Sequence, residues 1–294
     1  MTRLLDLSGD QLTSLRGRSL VESIHACEGR VVAAEVIGLM MPLLHEVTNA
    51  ELVAAMGADL VILNLFDVDE PFVRGLPACP PDEVVRTLQR LTGRVIGINL
   101  EPVGVPAGRL ATSDNARRAA EMGVQFIVVT ANPSTGADNA SIQSAIRAVS
   151  QAVGDDVMVV GGRMHGSGAL QEQGSRIVGP EDVHGFVEAG ADVVLLPAPG
   201  TVPGITADHV HGLVEVAHDL GALVLTSIGT SQEGADAQTI RAIALACKQA
   251  GADIHHLGDG GYSGIAEPRN IHDYSIAIRG VRHTWRRMAA SINR

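Results

Sequence analysis

Glu35 is a carboxylate at the end of an otherwise apolar run, Val31-Val32-Ala33-Ala34-Glu35-Val36. Such a group is unfavourable there unless it is paired, hydrogen-bonded or metal-bound. Glu101 repeats the arrangement after Val95–Leu100 and precedes Pro102. Asn64 and Asp67 close a second apolar run, and Asn99 lies inside the third. His165 follows Arg163 in Gly161-Gly162-Arg163-Met164-His165-Gly166-Ser167-Gly168, a stretch too rich in glycine for a helix and too long for a turn. It reads as a lid or an anion nest with Arg163 and His165 in reach of a ligand. Together these groups suit proton transfer beside a carbonyl, with the resulting enolate stabilised by the asparagines, Arg163 or a divalent ion. Isomerisation, epimerisation and retro-aldol cleavage all pass through such an intermediate. Glu35 and Glu101 are the expected oxygen ligands should Mg²⁺ or Mn²⁺ take part.

Each group also has a purely structural alternative. Glu35 can pair with Arg163 or be satisfied by backbone, and Glu101 can be an exposed loop acid. The asparagines can tie neighbouring loops together. Of His255 and His256, one faces the inside of the sheet and the other the helices, and either can be a satisfied core histidine.

The elements that must position these residues announce themselves by repetition. Gly-Ala-Asp followed by a β-branched run occurs at Gly57–Asp59, Gly190–Asp192 and Gly251–Asp253, and looser versions open near Gly29, Gly93, Gly123, Gly154 and Gly221. The strands expected are Val31–Val36, Leu60–Leu65, Val95–Leu100, Phe126–Thr130, Val157–Val160, Val193–Leu196, Leu223–Thr226 and Ile254–Leu257. Near-continuous Val/Ile/Leu content marks strands buried on both faces. Helical stretches alternate with them, several opening on N-cap residues (Thr48, Ser113, Thr206). Eight such units predict one α/β domain, a (β/α)8 TIM barrel over residues 30–294, with residues 1–29 as a helical extension covering its lower mouth.

Helix-to-strand turns are short, whereas strand-to-helix loops are long, so a site is expected at the C-terminal ends of the strands. Alternation along the strands aims Glu35, Asn99, Glu101 and Thr130 inward together with Asn132. In strand five it assigns Val159, Gly161, Arg163 and His165 to the inner face. Gly229-Thr230-Ser231 and Gly258-Asp259-Gly260-Gly261, after strands seven and eight, resemble the device with which barrels hold a phosphate.

Composition excludes several classes. A net charge of −11 argues against a nucleic-acid groove. The one basic cluster, Arg279, Arg282, Arg286 and Arg287, reads as a solvated last helix. Lys248 is the only lysine and falls in a helix, so imine chemistry and lysine-bound pyridoxal phosphate are not expected. Neither NAD nor flavin is expected, because no Gly-x-Gly-x-x-Gly joins a strand to a helix and aromatics are few. Three scattered cysteines and the lack of a signal peptide or membrane-length apolar run suggest a cytoplasmic protein. Homo-oligomerisation through outer helices is expected, with a small anionic metabolite as ligand.

Ala58–Phe72, with Asn64-Leu65-Phe66-Asp67 at its centre, resembles the second unit of the BtpA/SgcQ-like barrel family. Gly97-Ile98-Asn99-Leu100 resembles that family's third strand, and Gly190–Thr206 its sixth unit. In length and layout the chain also resembles an uncharacterised barrel group loosely labelled phosphoenolpyruvate-phosphonomutase-like, although that family's acidic metal cluster after strands two and three is not intact here. The resemblance implies a role in photosystem assembly or in sugar metabolism. The resulting expectation is a lyase or isomerase for a small phosphorylated or carboxylated metabolite such as a sugar phosphate. The alternative is a non-catalytic barrel that binds a metabolite or aids assembly.

Overall fold

Eight parallel strands pair in chain order, and the last closes on the first: β1 Val31–Ile37, β2 Leu60–Asn64, β3 Val95–Leu100, β4 Phe126–Val129, β5 Met158–Gly162, β6 Val193–Pro197, β7 Leu223–Ile228 and β8 Ile254–Leu257. The structure is a computed structural model describing residues 2–131, 135–166, 174–262, 266–290 and 292. Asn132, Ser167 and Gly168 lie outside the described residues. Helices α3 Asn49–Ala55, α4 Val84–Thr92, α5 Ser113–Glu121, α6 Asn139–Val153, α7 Pro180–Glu188, α8 Ala207–Asp219, α9 Ala237–Ala250 and α10 Pro268–Ala289 follow the successive strands. The chain is therefore the α/β barrel its repeats predict.

Strand register fixes which side chains share a level. The ladders pair Glu35 with Ile62, Ile62 with Gly97, Gly97 with Phe126 and Phe126 with Met158. Extended through the remaining strands, the path returns beside Cys27, eight residues below its start at Glu35. That offset tilts the strands and stacks inward side chains in layers of four from alternate strands. The lower layers are apolar: Val31, Val95, Met158 and Leu223, then Leu60, Phe126, Val193 and Ile254. Gly97 leaves room for the Phe126 ring, which a Cβ would meet at 2.5 Å. His256 is the first polar side chain to interrupt the apolar filling, and Glu35, Asn99 and Ser227 follow above it.

The Gly-Ala-Asp repeat has a structural meaning. Gly57, Gly190 and Gly251 turn the chain out of a helix at φ near +100° (107°, 105° and 97°), a conformation costly for other residues. Each aspartate then accepts the backbone N–H of the preceding strand: Asp59 from Val32 (2.9 Å), Asp192 from Val159 (2.8 Å) and Asp253 from Val224 (2.8 Å). Gln125 does the same for Ile96 at 3.1 Å. Each even strand thus clamps the odd strand before it. The same tripeptide recurs at Gly136–Asp138 and Gly234–Asp236, where the aspartate caps a helix instead.

The N-terminal extension forms α1 Gly9–Ser14 and α2 Gly17–His25 and packs Leu12, Leu20 and Ile24 beneath the barrel floor. Gln125 Nε2 ties it down through the carbonyls of Leu12 (2.9 Å) and Leu15 (2.8 Å).

Two expectations are corrected at this level. Thr112, not Ser113, caps α5, because its extended backbone lets Oγ1 accept the Asn115 N–H. Arg279 and Arg287 are not solvated. Both are buried on Asp59, reached from either side of a break in α10 at Gly280 (φ 72°). Burial alone would raise the Asp59 carboxyl, but the two guanidinium groups outweigh it and hold it below the ordinary range. Arg282 and Arg286 remain exposed.

Candidate active site at the barrel mouth

The first polar layer of the barrel interior holds Glu35, Asn99 and Ser227 with Gly162, at one level on β1, β3, β7 and β5. His256 lies half a layer below, and Asn64 and Thr130 half a layer above. Glu101 is one full layer above Asn99 on the same strand.

His256 is the centre of the arrangement. Its Nε2 is 2.9 Å from Glu35 Oε2, and its Nδ1 is 2.7 Å from Ser227 Oγ. The Nε2–H lies off the line to the oxygen, so the first contact is an ion-pair approach rather than an aligned hydrogen bond. Ser227 Oγ is also 3.6 Å from Met164 Sδ. In the neutral ring the proton sits on Nε2, facing the carboxylate, and Nδ1 accepts the serine hydroxyl. In the imidazolium both nitrogens donate, and the hydroxyl turns its proton to the sulfur. The serine therefore satisfies the ring in either protonation state.

Two further acids close in from the loops above β7 and β8. Glu233 stands in a 3-10 turn, Gln232–Gly234, which Asn270 of α10 pins by donating from Nδ2 to the carbonyls of Glu233 and Ala235, both at 2.8 Å. Its side chain is buried, and Oε2 has no hydrogen-bond partner. Burial, then the Asp259 carboxylate, pushes its carboxyl up to about 7. Asp259 is held at φ 50°, and burial followed by Glu35 raises its carboxyl to about 6. Glu35 pushes both acids up and His256 draws both down, and Asp259 adds to the rise of Glu233.

The opposite side of the mouth holds an ion pair. Arg109 binds Glu101 at 2.7 Å, so Glu101 is a buried, paired acid rather than an exposed one. Arg163 is buried, and His165 is held below the ordinary histidine range by burial and then by Arg163. Asn99 Nδ2 donates to Asn64 Oδ1 at 3.3 Å, and the same oxygen accepts the Leu65 N–H at 2.8 Å. That backbone bond fixes the sense of both amides, leaving Asn99 Oδ1 without a partner. Thr130 Oγ1 and His165 Nδ1 are likewise buried without partners. Unpaired buried polar atoms cost about 1–3 kcal/mol each, so their gathering at one mouth calls for a ligand to complete them.

Other sequence expectations fall elsewhere. Asp67 is not in these layers: its carboxylate accepts the Asp69 N–H at 2.8 Å and sits against Gly108 in the loops. Strand five runs in the opposite phase, with Met158, Val160 and Gly162 inward and Val159 and Gly161 against the helices. The amides of Gly258 and Gly260 do not await an anion, since they donate to Ile228 O (3.0 Å) and Glu35 O (2.7 Å). Thr230 Oγ1 donates to Thr201 O at 3.1 Å, Ser231 is left-handed at φ 68°, and Gly229 and Gly261 back onto Met164 and Asn49. Ser263 and Gly264 lie outside the described residues. His256, Ser227 and Glu233 are the members that the sequence expectation omits.

Glu35 is engaged by His256 and Glu101 by Arg109, and among the described residues no three His, Cys, Asp or Glu side chains gather as a ligand set.

With the barrel and its mouth described, the chain can be placed: it belongs to the family Domain of unknown function (DUF7916), whose model matches residues 5–294. No curated protein matches the sequence. Among solved structures it is similar to 2,3-dimethylmalate lyase, a member of the PEP mutase/isocitrate lyase superfamily (TM-score 0.52, 15% identity, 81% of this chain and 79% of that one). It is also similar to phosphonopyruvate hydrolase in complex with oxalate and Mg²⁺ (0.50, 15%, 86% and 81%) and to oxaloacetate acetylhydrolase in complex with oxalate (0.54, 12%, 82% and 79%). At these identities the likeness is one of fold. Among the described residues no helix is long and apolar enough to cross a membrane.

Proposed function

We propose that the chain is an acid–base enzyme, a lyase or isomerase acting on a small carboxylated or phosphorylated metabolite. The observation that carries the reading is the Glu35–His256–Ser227 chain beneath a ring of unpartnered buried polar atoms. Glu35 takes a proton from carbon beside a carbonyl. His256 holds that carboxylate in place and balances its charge as the proton comes and goes. Asn64 and Asn99 orient the substrate, while Arg163 and His165 serve its anionic end and the developing oxyanion. Glu101 acts through Arg109, which it fixes. The named neighbours, a lyase and two hydrolases of small carboxylates or phosphonates, support the substrate class.

The test is solvent deuterium exchange, followed by NMR, across a panel of 2-oxo acids, hydroxy acids and sugar phosphates. At least one compound should exchange or react, and Glu35→Gln should abolish turnover while leaving binding intact. One observation favours the non-catalytic, assembly-type reading. The loop after β1 exposes Leu39, Met41, Leu43 and Leu44 on the rim, an apolar stretch suited to self-association or another protein. Binding without turnover across the whole panel would decide for that reading.

A further inference from the structure

The buried side-chain atom left open on the acidic side of the mouth is an acceptor. Glu233 is 2% exposed, and its Oε2 has no partner. Asp259 adds a carboxylate beside it, since the neighbouring Gly258 faces Glu233 Oε1, and the Asp259 and Glu35 charges both push the Glu233 carboxyl up. Anions and carbonyl oxygens cannot complete such a set; it requires a donor, and its charge requires a cation. Among the described residues no three His, Cys, Asp or Glu side chains gather as a metal-ligand set. A primary ammonium is compact and offers three donors in a tetrahedral spread.

We propose that this half of the mouth binds the protonated amine of an amino-bearing substrate, seated against Glu233 and Asp259. The substrate is then a small zwitterion, its carboxylate or phosphate directed to the Arg163 and His165 side. This rests on the mouth being the ligand site, not on turnover. The raised Glu233 carboxyl fits the same picture: at about 7 it keeps a proton on part of the molecules at neutral pH, and an arriving ammonium displaces that proton into solvent.

The experiment is calorimetric titration of the intact protein at pH 7 with glycine, β-alanine, γ-aminobutyrate and O-phosphoethanolamine. Each is paired with its hydroxyl counterpart: glycolate, 3-hydroxypropionate, 4-hydroxybutyrate and ethylene glycol monophosphate. At least one amine should bind tenfold or more tightly than its partner and release protons, seen as a heat that differs between phosphate and Tris buffers. Glu233→Gln, whose backbone latch to Asn270 is untouched, should cost that amine at least tenfold. Asp259→Asn provides a second variant, at a half-buried turn. Equal affinity for amine and hydroxyl, unchanged amine affinity in both variants, or no amine binding at all overturns the proposal. Amine binding without deuterium exchange leaves it standing and removes the enzyme reading; exchange on hydroxy acids without preference for an amine does the reverse.

Discussion

Ser227 approaches the ring nitrogen of His256 that Glu35 does not: Oγ is 2.7 Å from Nδ1, while the carboxylate is 2.9 Å from Nε2. The two residues are register partners on β7 and β8, so the contact is set by the sheet itself rather than by a loop. Rigid strands hold a proton-transfer group more accurately than a loop does.

From that contact, Ser227→Ala should lower turnover about tenfold and narrow the pH profile, because the ring loses the partner that suits both of its protonation states. His256→Gln should cost about a hundredfold or more. Steady-state rates across pH, with the Michaelis constant followed separately, check both; an unaltered profile in the alanine variant would remove the serine from the chemistry.

Glu233 also has a signature in stability. Its carboxyl ordinarily titrates near 4.5 and here near 7, so the folded state binds more protons than the unfolded state between those values. Stability therefore declines as pH rises from about 4.5 to about 7 and then levels off. Glu233→Gln should flatten this slope and exceed the parent at pH 8 by about 2 kcal/mol. Urea melts at pH 5, 6, 7 and 8 provide the comparison, and a parent whose stability rises over this range would contradict it.

Asp59 anchors the other end of the barrel. Asp59→Asn leaves the buried Arg279 and Arg287 without their counter-charge and loosens the Val32 amide. The loss should be about 3–5 kcal/mol by chemical denaturation, with no change in ligand affinity at the mouth.

Gly97 lies opposite the Phe126 ring. Gly97→Ala should destabilise by about 1–3 kcal/mol, because the new methyl meets the ring and the packed interior has no slack. A melting temperature equal to the parent's would mean that the ring swings aside freely.

How far the sequence could be read varied with the residue. Glu35, Asn99 and Glu101 interrupt apolar strands in phase with inward neighbours, and the structure aims all three into the mouth. His256 shares that phase with Ile254, a signal available beforehand, yet two adjacent histidines looked alike without register. His255 takes the other fate, between the Tyr274 hydroxyl (3.0 Å) and the Gly29 carbonyl (3.1 Å). Strand five was misphased because Gly161 and Gly162 offer no side chain to read, and a shift of one residue exchanges the two faces. Glu233 was beyond reach: Asn270, 37 residues later, fixes the backbone that places it. The solvated reading of Arg279 and Arg287 failed for a similar reason, since Asp59 lies more than 200 positions away along the chain.

The clamps that join β2 to β1, β4 to β3, β6 to β5 and β8 to β7 divide the floor into four hinged quarters. Among the described residues no such carboxylate or carboxamide clamp spans the seams after β2, β4 or β6. New chain ends introduced at those seams would sever none of the four, so the ring can be reopened there while the rim that carries the chemistry keeps its foundations.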